Sequence, residues 1–164
     1  MATPHIADLI ALAARLVNAG QRERARIVCE QAVAAYPAHP AVHQMLALLD
    51  MQAGQPAQAG AHAALSLKLR PDHVPTLLVL GDAALAQRDR AAASQALERA
   101  VVLAPDQAGA WFKVSLVRQD LGDIDGAIQA LERVLALNAE RADARVNLDL
   151  LLREADRLQR PKTT

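Results

Sequence analysis

The chain has 164 residues, of which 37 are alanine and 25 leucine, against three aromatic residues, Tyr36, Trp111 and Phe112. Helix formers dominate and strand formers are scarce, which excludes an all-β sandwich or barrel. A hydrophobic content of 52% excludes wholesale disorder, and a balance of 18 basic against 18 acidic residues, with a pI near 7.0, lacks the basic excess of a nucleic-acid binder.

In chain order, Leu9, Leu12, Ala13 and Leu16 recur at i, i+3, i+4 and i+7, so the first segment has one apolar helical face. Gly20 suits the left-handed residue that ends such a helix. A second helix follows with Ala25, Val28, Cys29 and Ala32 on one face, and Pro37 stops it. Thr3-Pro4, Asp72, Asp106 and Asp123 fit helix N-caps, and Pro4, Pro40 and Pro56 suit the first helical turn.

This helix–breaker–helix unit returns with a fixed period. Pro37, Pro71 and Pro105 are each 34 residues apart, with Ala139 in the fourth slot. The same spacing relates Ala25, Ala59, Ala93 and Ala127; Gly20, Gly54, Arg88 and Gly122; and the small residues Ala13, Ala47, Gly81 and Ser115. Two larger columns are Leu9, His43, Leu77, Trp111 and Leu12, Leu46, Leu80, Val114. Small residues in register let paired helices approach closely; a large one at Ala59 or Gly81 overpacks that contact, at a cost of roughly 1–3 kcal/mol.

The pattern resembles the tetratricopeptide repeat (TPR), a 34-residue helix–turn–helix unit, over residues 6–141 without insertion. The units are 6–39, 40–73, 74–107 and 108–141; the first carries Leu9, Leu12, Ala13, Leu16, Gly20, Ala25, Ala32 and Pro37 in consensus slots. His43, Asp50 and Arg118 depart from it, standing where large apolar or aromatic residues are usual. After Arg141 the pattern starts again and stops halfway. Residues 142–160 read as one helix with Leu148, Leu151, Leu152, Ala155 and Leu158 as its buried stripe and charges elsewhere, suited to cover the apolar end of an array. The resemblance implies an all-α, right-handed α–α superhelix of four hairpins plus this capping helix. One domain over 1–160 is expected, with 161–164 as a frayed tail.

Chemistry-bearing clusters are weak. His39 and His43 stand at i, i+4 but no third metal ligand is near them in sequence, so they read as junction residues. Cys29, the single cysteine, falls on an inner helix face without a base beside it and reads as a structural thiol. Asp120, Asp123 and Asp125 lack the twelve-residue calcium-loop spacing, which leaves a turn and an N-cap. No enzyme, cofactor or metal site is expected. The N-terminus has no basic residue before Arg15, and the longest apolar run, Val74 to Ala86, contains Asp82, so neither a secretory signal nor a membrane span is expected; the compartment expected is the cytoplasm.

Function is therefore expected at a surface. In the family that the chain resembles, the first helix of each unit lines a concave groove. Its exposed slots here hold Ile10 in the first unit; Met45, Leu48 and Met51 in the second; Leu78, Val79, Asp82 and Leu85 in the third; Phe112, Lys113 and Leu116 in the fourth; and Val146, Asn147 and Leu150 in the capping helix. So apolar a wall implies a bound partner. The slots that hold a charged chain terminus in the carboxylate-clamp relatives contain Ile10, Ala14, Met45, Pro75 and Val79, none matching, and of an asparagine ladder only Asn147 is present. The expected partner is an apolar peptide or amphipathic helix of another protein. Self-assembly with a second copy, or service as a tethering module of a larger enzyme, are the alternatives.

Overall fold

The computed structural model describes residues 5–159, and all their regular structure is α-helix. The helices are α1 (Ile6–Asn18), α2 (Arg22–Ala35), α3 (Pro40–Gln52), α4 (Pro56–Leu69), α5 (Val74–Ala86), α6 (Arg90–Leu103), α7 (Ala108–Asp120), α8 (Ile124–Leu137) and α9 (Ala142–Gln159). Thr3, Pro4, Arg160 and the tail 161–164 lie outside the described residues. The chain divides into two compact units between Gln87 and Arg88, so that α5 belongs to the first and α6 to the second.

The period dictates the helix ends. Gly20, Gly54 and Gly122 take positive φ of 72°, 70° and 80°, and Arg88, in the same slot, takes 59°. At the first turn Gln21 N–H donates to the Leu16 carbonyl and Gly20 N–H to that of Val17, closing the helix end through its left-handed residue; the turns at Gly54 and Gly122 repeat this pattern. Pro40 and Pro56 open their helices as expected, and Pro75 stands in the first turn of α5. Asp123 caps α8, its carboxylate accepting from Gly126 N–H at 3.0 Å. Asp72 and Asp106 do not cap. The chain needs one more residue to turn after the preceding proline, so His73 and Gln107 take the N-cap places. Asp89 caps α6 instead, accepting from Ala92 N–H at 3.0 Å.

Within the first unit, α1, α2 and α3 pack on one another through Leu9, Ala13, Val28, Cys29, Ala32, Val42, Leu46 and Leu49, and α3, α4 and α5 meet at Ala47, Ala63 and Val79. Within the second, α8 and α9 join through Ala127, Leu131, Val134, Ala144 and Leu151, with Trp111 and Phe112 of α7 against them. The small columns sit where helices cross: Ala25, Ala59, Ala93 and Ala127 are each fully buried, and Ala13, Ala47 and Ser115 nearly so. Leu12 is 38% exposed, whereas Leu46 and Val114, in the same column, are buried. In α9 the inward face has Ala144 and Leu151 buried and Leu148 and Ala155 half-buried, spaced four, three and four in chain order. Leu152 and Leu158 fall to its side and beyond its packed length, and they are exposed, contrary to expectation.

One contact recurs with the period. The fourth-slot side chain of a repeat donates to the carbonyl six residues earlier, in the turn that precedes its helix. His43 Nε2 meets Pro37 O at 2.8 Å, Trp111 Nε1 meets Pro105 O at 3.0 Å, and an Arg145 guanidinium nitrogen meets Ala139 O at 2.8 Å. Trp111 buys this bond by lying at the rim, half-buried, rather than in the core where its column placed it. Leu77 has no donor; at its junction His73 Nδ1 and the Thr76 hydroxyl pair at 2.8 Å.

Candidate functional site

The residues expected to form a wall lie on the first helix of each repeat and on α9, and each compact unit holds its own set. In the first unit, Ala14, Val17 and Asn18 of α1 and Met45, Leu48, Leu49 and Gln52 of α3 enclose an open cleft of about 150 Å³, apolar on most of its lining. Leu48 is 41% exposed, and Met45, Met51, Ile10, Leu78, Asp82 and Leu85 are half-buried. Ile10 and Met45 also rest on the core beneath them. Val79 is not part of a wall: at 7% exposure it packs on Ala47 and Ala63, because its position on α5 turns toward α3 and α4.

In the second unit Leu116 is 37% exposed, Val146 58% and Leu150 56%, while Phe112, Lys113 and Asn147 are half-buried. Phe112 packs on the α8–α9 core, and the Arg141 guanidinium lies over its ring, 4.3 Å from the centroid. That stacking places a cation over an aromatic face at the wall. It also makes Phe112 a packing residue, unlike Leu116 beside it.

The residues read as departures in sequence turn out to carry the polar interior. Asp50 is fully buried; one carboxylate oxygen accepts from Arg26 at 2.6 Å, and the other has no hydrogen-bond partner, with His62 Nε2 3.9 Å away. His62 Nδ1 lies 3.2 Å from His43 Nδ1. Asp50 holds the Arg26 guanidinium even more firmly protonated than usual, and burial lowers the His62 pKa despite the attraction of Asp50. Sequence reasoning missed this cluster because Arg26, His43, Asp50 and His62 come from three helices; two polar residues in apolar slots were the only signal. Both His43 nitrogens are engaged, so the His39–His43 pair does not present a free ligand set.

The remaining candidates are structural. Burial pushes the Cys29 thiol up to about 11, which keeps it protonated and unreactive at neutral pH. Asp123 is spent on its cap and Asp120 lies 3.8 Å from Arg90, so the acidic residues near Gly122 do not converge. Among the described residues no three potential ligands gather around one point, and no helix is long and apolar enough to cross a membrane.

Comparison with known proteins places this architecture. The description "Tetratricopeptide repeat" matches residues 80–151 and, separately, 6–49. Among solved structures, MamA 41-end from Desulfovibrio magneticus RS-1 superposes with a TM-score of 0.86 at 21% identity, covering 94% of this chain and 88% of that one. YrrB, described as a TPR protein with an unusual peptide-binding site, gives 0.84 at 18% identity over 90% and 76%. PilF of Pseudomonas aeruginosa gives 0.79 at 20% identity over 93% and 69%. At these identities the likeness speaks for the fold, an α–α helical-repeat solenoid. The "Probable biofilm formation methyltransferase WspC" of Pseudomonas putida is 39% identical over 93 residues, 57% of this chain but only 22% of its own length. With the 34-residue period, the paired helices, the glycine turns and these matches all in one register, the chain belongs to the tetratricopeptide-repeat family.

Proposed function

We propose that this chain is a non-enzymatic interaction module whose first-helix wall takes an apolar or amphipathic segment of another protein. That it is a scaffold for protein interaction in general follows from the family. The finer reading rests on one observation: the open apolar cleft between α1 and α3, walled by Val17, Met45 and Leu48. A cleft of that size accepts one large aliphatic or aromatic side chain, worth about 1.5–3 kcal/mol when fully buried. Methionine in its wall adapts to more than one side-chain shape.

The test uses Leu48→Glu and Leu116→Glu, two exposed positions where the fold tolerates a charge. Wild type and variants are used as bait in extracts of the source cells, with circular dichroism as the control for folding. Loss of a specific partner in Leu48→Glu at unchanged helicity supports the reading. A folded pair of variants that retain every partner removes it, and light scattering over a dilution series then distinguishes self-assembly.

A second reading draws on the WspC likeness: the repeats serve a methyltransferase as its partner-binding arm, the chemistry lying outside these residues. Sequencing the native reading frame decides it. A frame without methyltransferase sequence, together with no methyltransferase among the captured partners, sinks this reading.

A further inference from the structure

The buried polar cluster of the first unit does more than fill space. We propose that His43, His62 and Asp50 form a proton-binding site between α3 and α4, in which Nε2 of His62 takes up a proton in mild acid and pairs as a cation with the unpartnered oxygen of Asp50.

The argument follows the hydrogen atoms. His43 Nε2 lies 2.8 Å from the Pro37 carbonyl, which only accepts, so that nitrogen carries the hydrogen. Neutral His43 therefore offers a lone pair at Nδ1. Its neighbour at 3.2 Å, His62 Nδ1, must then be the donor. Neutral His62 is left with a lone pair on Nε2, facing the Asp50 carboxylate oxygen that has no partner, at 3.9 Å. Two acceptors confront each other across a gap too long for a hydrogen bond. The gap between His62 Nε2 and Asp50 is the one place in this chain of groups where an added proton meets an acceptor instead of breaking a bond, and the imidazole, the stronger base, holds it as an ion pair with the carboxylate.

The groups that face His62 are Asp50 and His43 from α3 and Arg26 from α2; α5, also packed on α4, carries one ionisable side chain, Asp82, which is not among them. Asp50 favours the imidazolium, while burial, His43 and Arg26 oppose it, and the opposition prevails, so uptake falls below the ordinary imidazole range. Water reaches the site, since the His62 side chain is 30% exposed.

The test is an imidazole ¹⁵N–¹H long-range NMR titration of the intact chain from pH 8 to 5, with His62→Gln to assign the signal. At pH 8, His43 is expected as the Nε2–H tautomer and His62 as the Nδ1–H tautomer, with the His62 midpoint below 6.5. A His62 that is Nε2–H at pH 8, or that titrates like free imidazole, overturns the proposal. His43→Leu gives an independent check, because leucine fills that slot at Leu9 and Leu77. Freed from its acceptor, His62 should switch to the Nε2–H tautomer at pH 8 and reach Asp50 without protonation. An unchanged tautomer in that variant also overturns the proposal.

Discussion

Asp50 and Arg118 stand two periods apart, in the same place on α3 and α7, where the repeat usually buries an apolar side chain. The first unit and the second solve the same problem with opposite charges. The Asp50 side chain is short and wholly buried, so it depends on Arg26 at 2.6 Å to offset its desolvation. Arg118 is long. It lays its stem along the core, keeps 25% of its side chain in water, donates to the Gly126 carbonyl at 3.2 Å and stays 3.5 Å from Glu98. A cation on a flexible stem can leave the interior while its Cα stays in register, and a carboxylate on one methylene cannot. The two units therefore carry the same fold with very different exposure to loss of a partner.

The largest expected effect separates the two sites directly. Asp50→Ala strands Arg26 and empties a packed position, and should cost about 3 kcal/mol, read by urea denaturation. Arg118→Ala removes a part-exposed pair and should cost about 0.5–1 kcal/mol. Equal losses would mean that burial does not distinguish the sites.

A smaller contrast concerns the turns. A methyl group at Gly54 or Gly122 meets nothing within 4 Å, so the cost of Gly54→Ala is that of the left-handed backbone alone, about 1 kcal/mol. Arg88 already bears that strain at φ 59°. Arg88→Gly should raise stability, by about 0.5 kcal/mol, since glycine's gain in the turn is partly offset by its freedom when unfolded. A loss of stability in Arg88→Gly would show that the arginine side chain supplies more than its backbone costs.

The smallest effect is the response to acid. All five histidines precede Gln87, and burial lowers the pKa of both His62 and His73 below 6.5. Their neutral forms are favoured in the fold, while the unfolded chain takes up protons. Stability is thus fully present above pH 6.5 and declines as the pH falls from there through the folded values. Hydrogen-exchange protection should fall between pH 7 and 5 in α4 and α5, with α7 and α8 unchanged. A uniform fall across both units would assign the response to other groups.

The period made the fold legible: small residues every 34 positions mark helix crossings, and all of them are buried. Turn glycines and Asp123 were equally readable, because each acts within one turn of chain. What the period could not convey was the orientation of residues near the edge of a helical face. Val79, expected on the wall, is buried in the core, and Leu152, expected in the buried stripe of α9, is exposed. Partners far apart in sequence were invisible. Nothing local links Arg26 to Asp50, 24 residues on, or Asp50 to His62 on the next helix. Of the wall, the apolar character could be read in advance, but not which side chains rest on the core; Phe112 beneath Arg141 and Leu116 in the open differ only in their neighbours.

The donor that recurs in the fourth slot has a wider consequence. An imidazole, an indole and a guanidinium, from His43, Trp111 and Arg145, satisfy the same kind of carbonyl at three junctions of the array. Where that position is polar, what it supplies is an N–H at a given point in space, not a particular amino acid. Chemically unlike residues are thus interchangeable parts, and letter-by-letter comparison counts each exchange as a difference. A likeness of 18–21% in letters with TM-scores of 0.79–0.86 is what such a grammar leaves behind: the geometry persists while the vocabulary drifts.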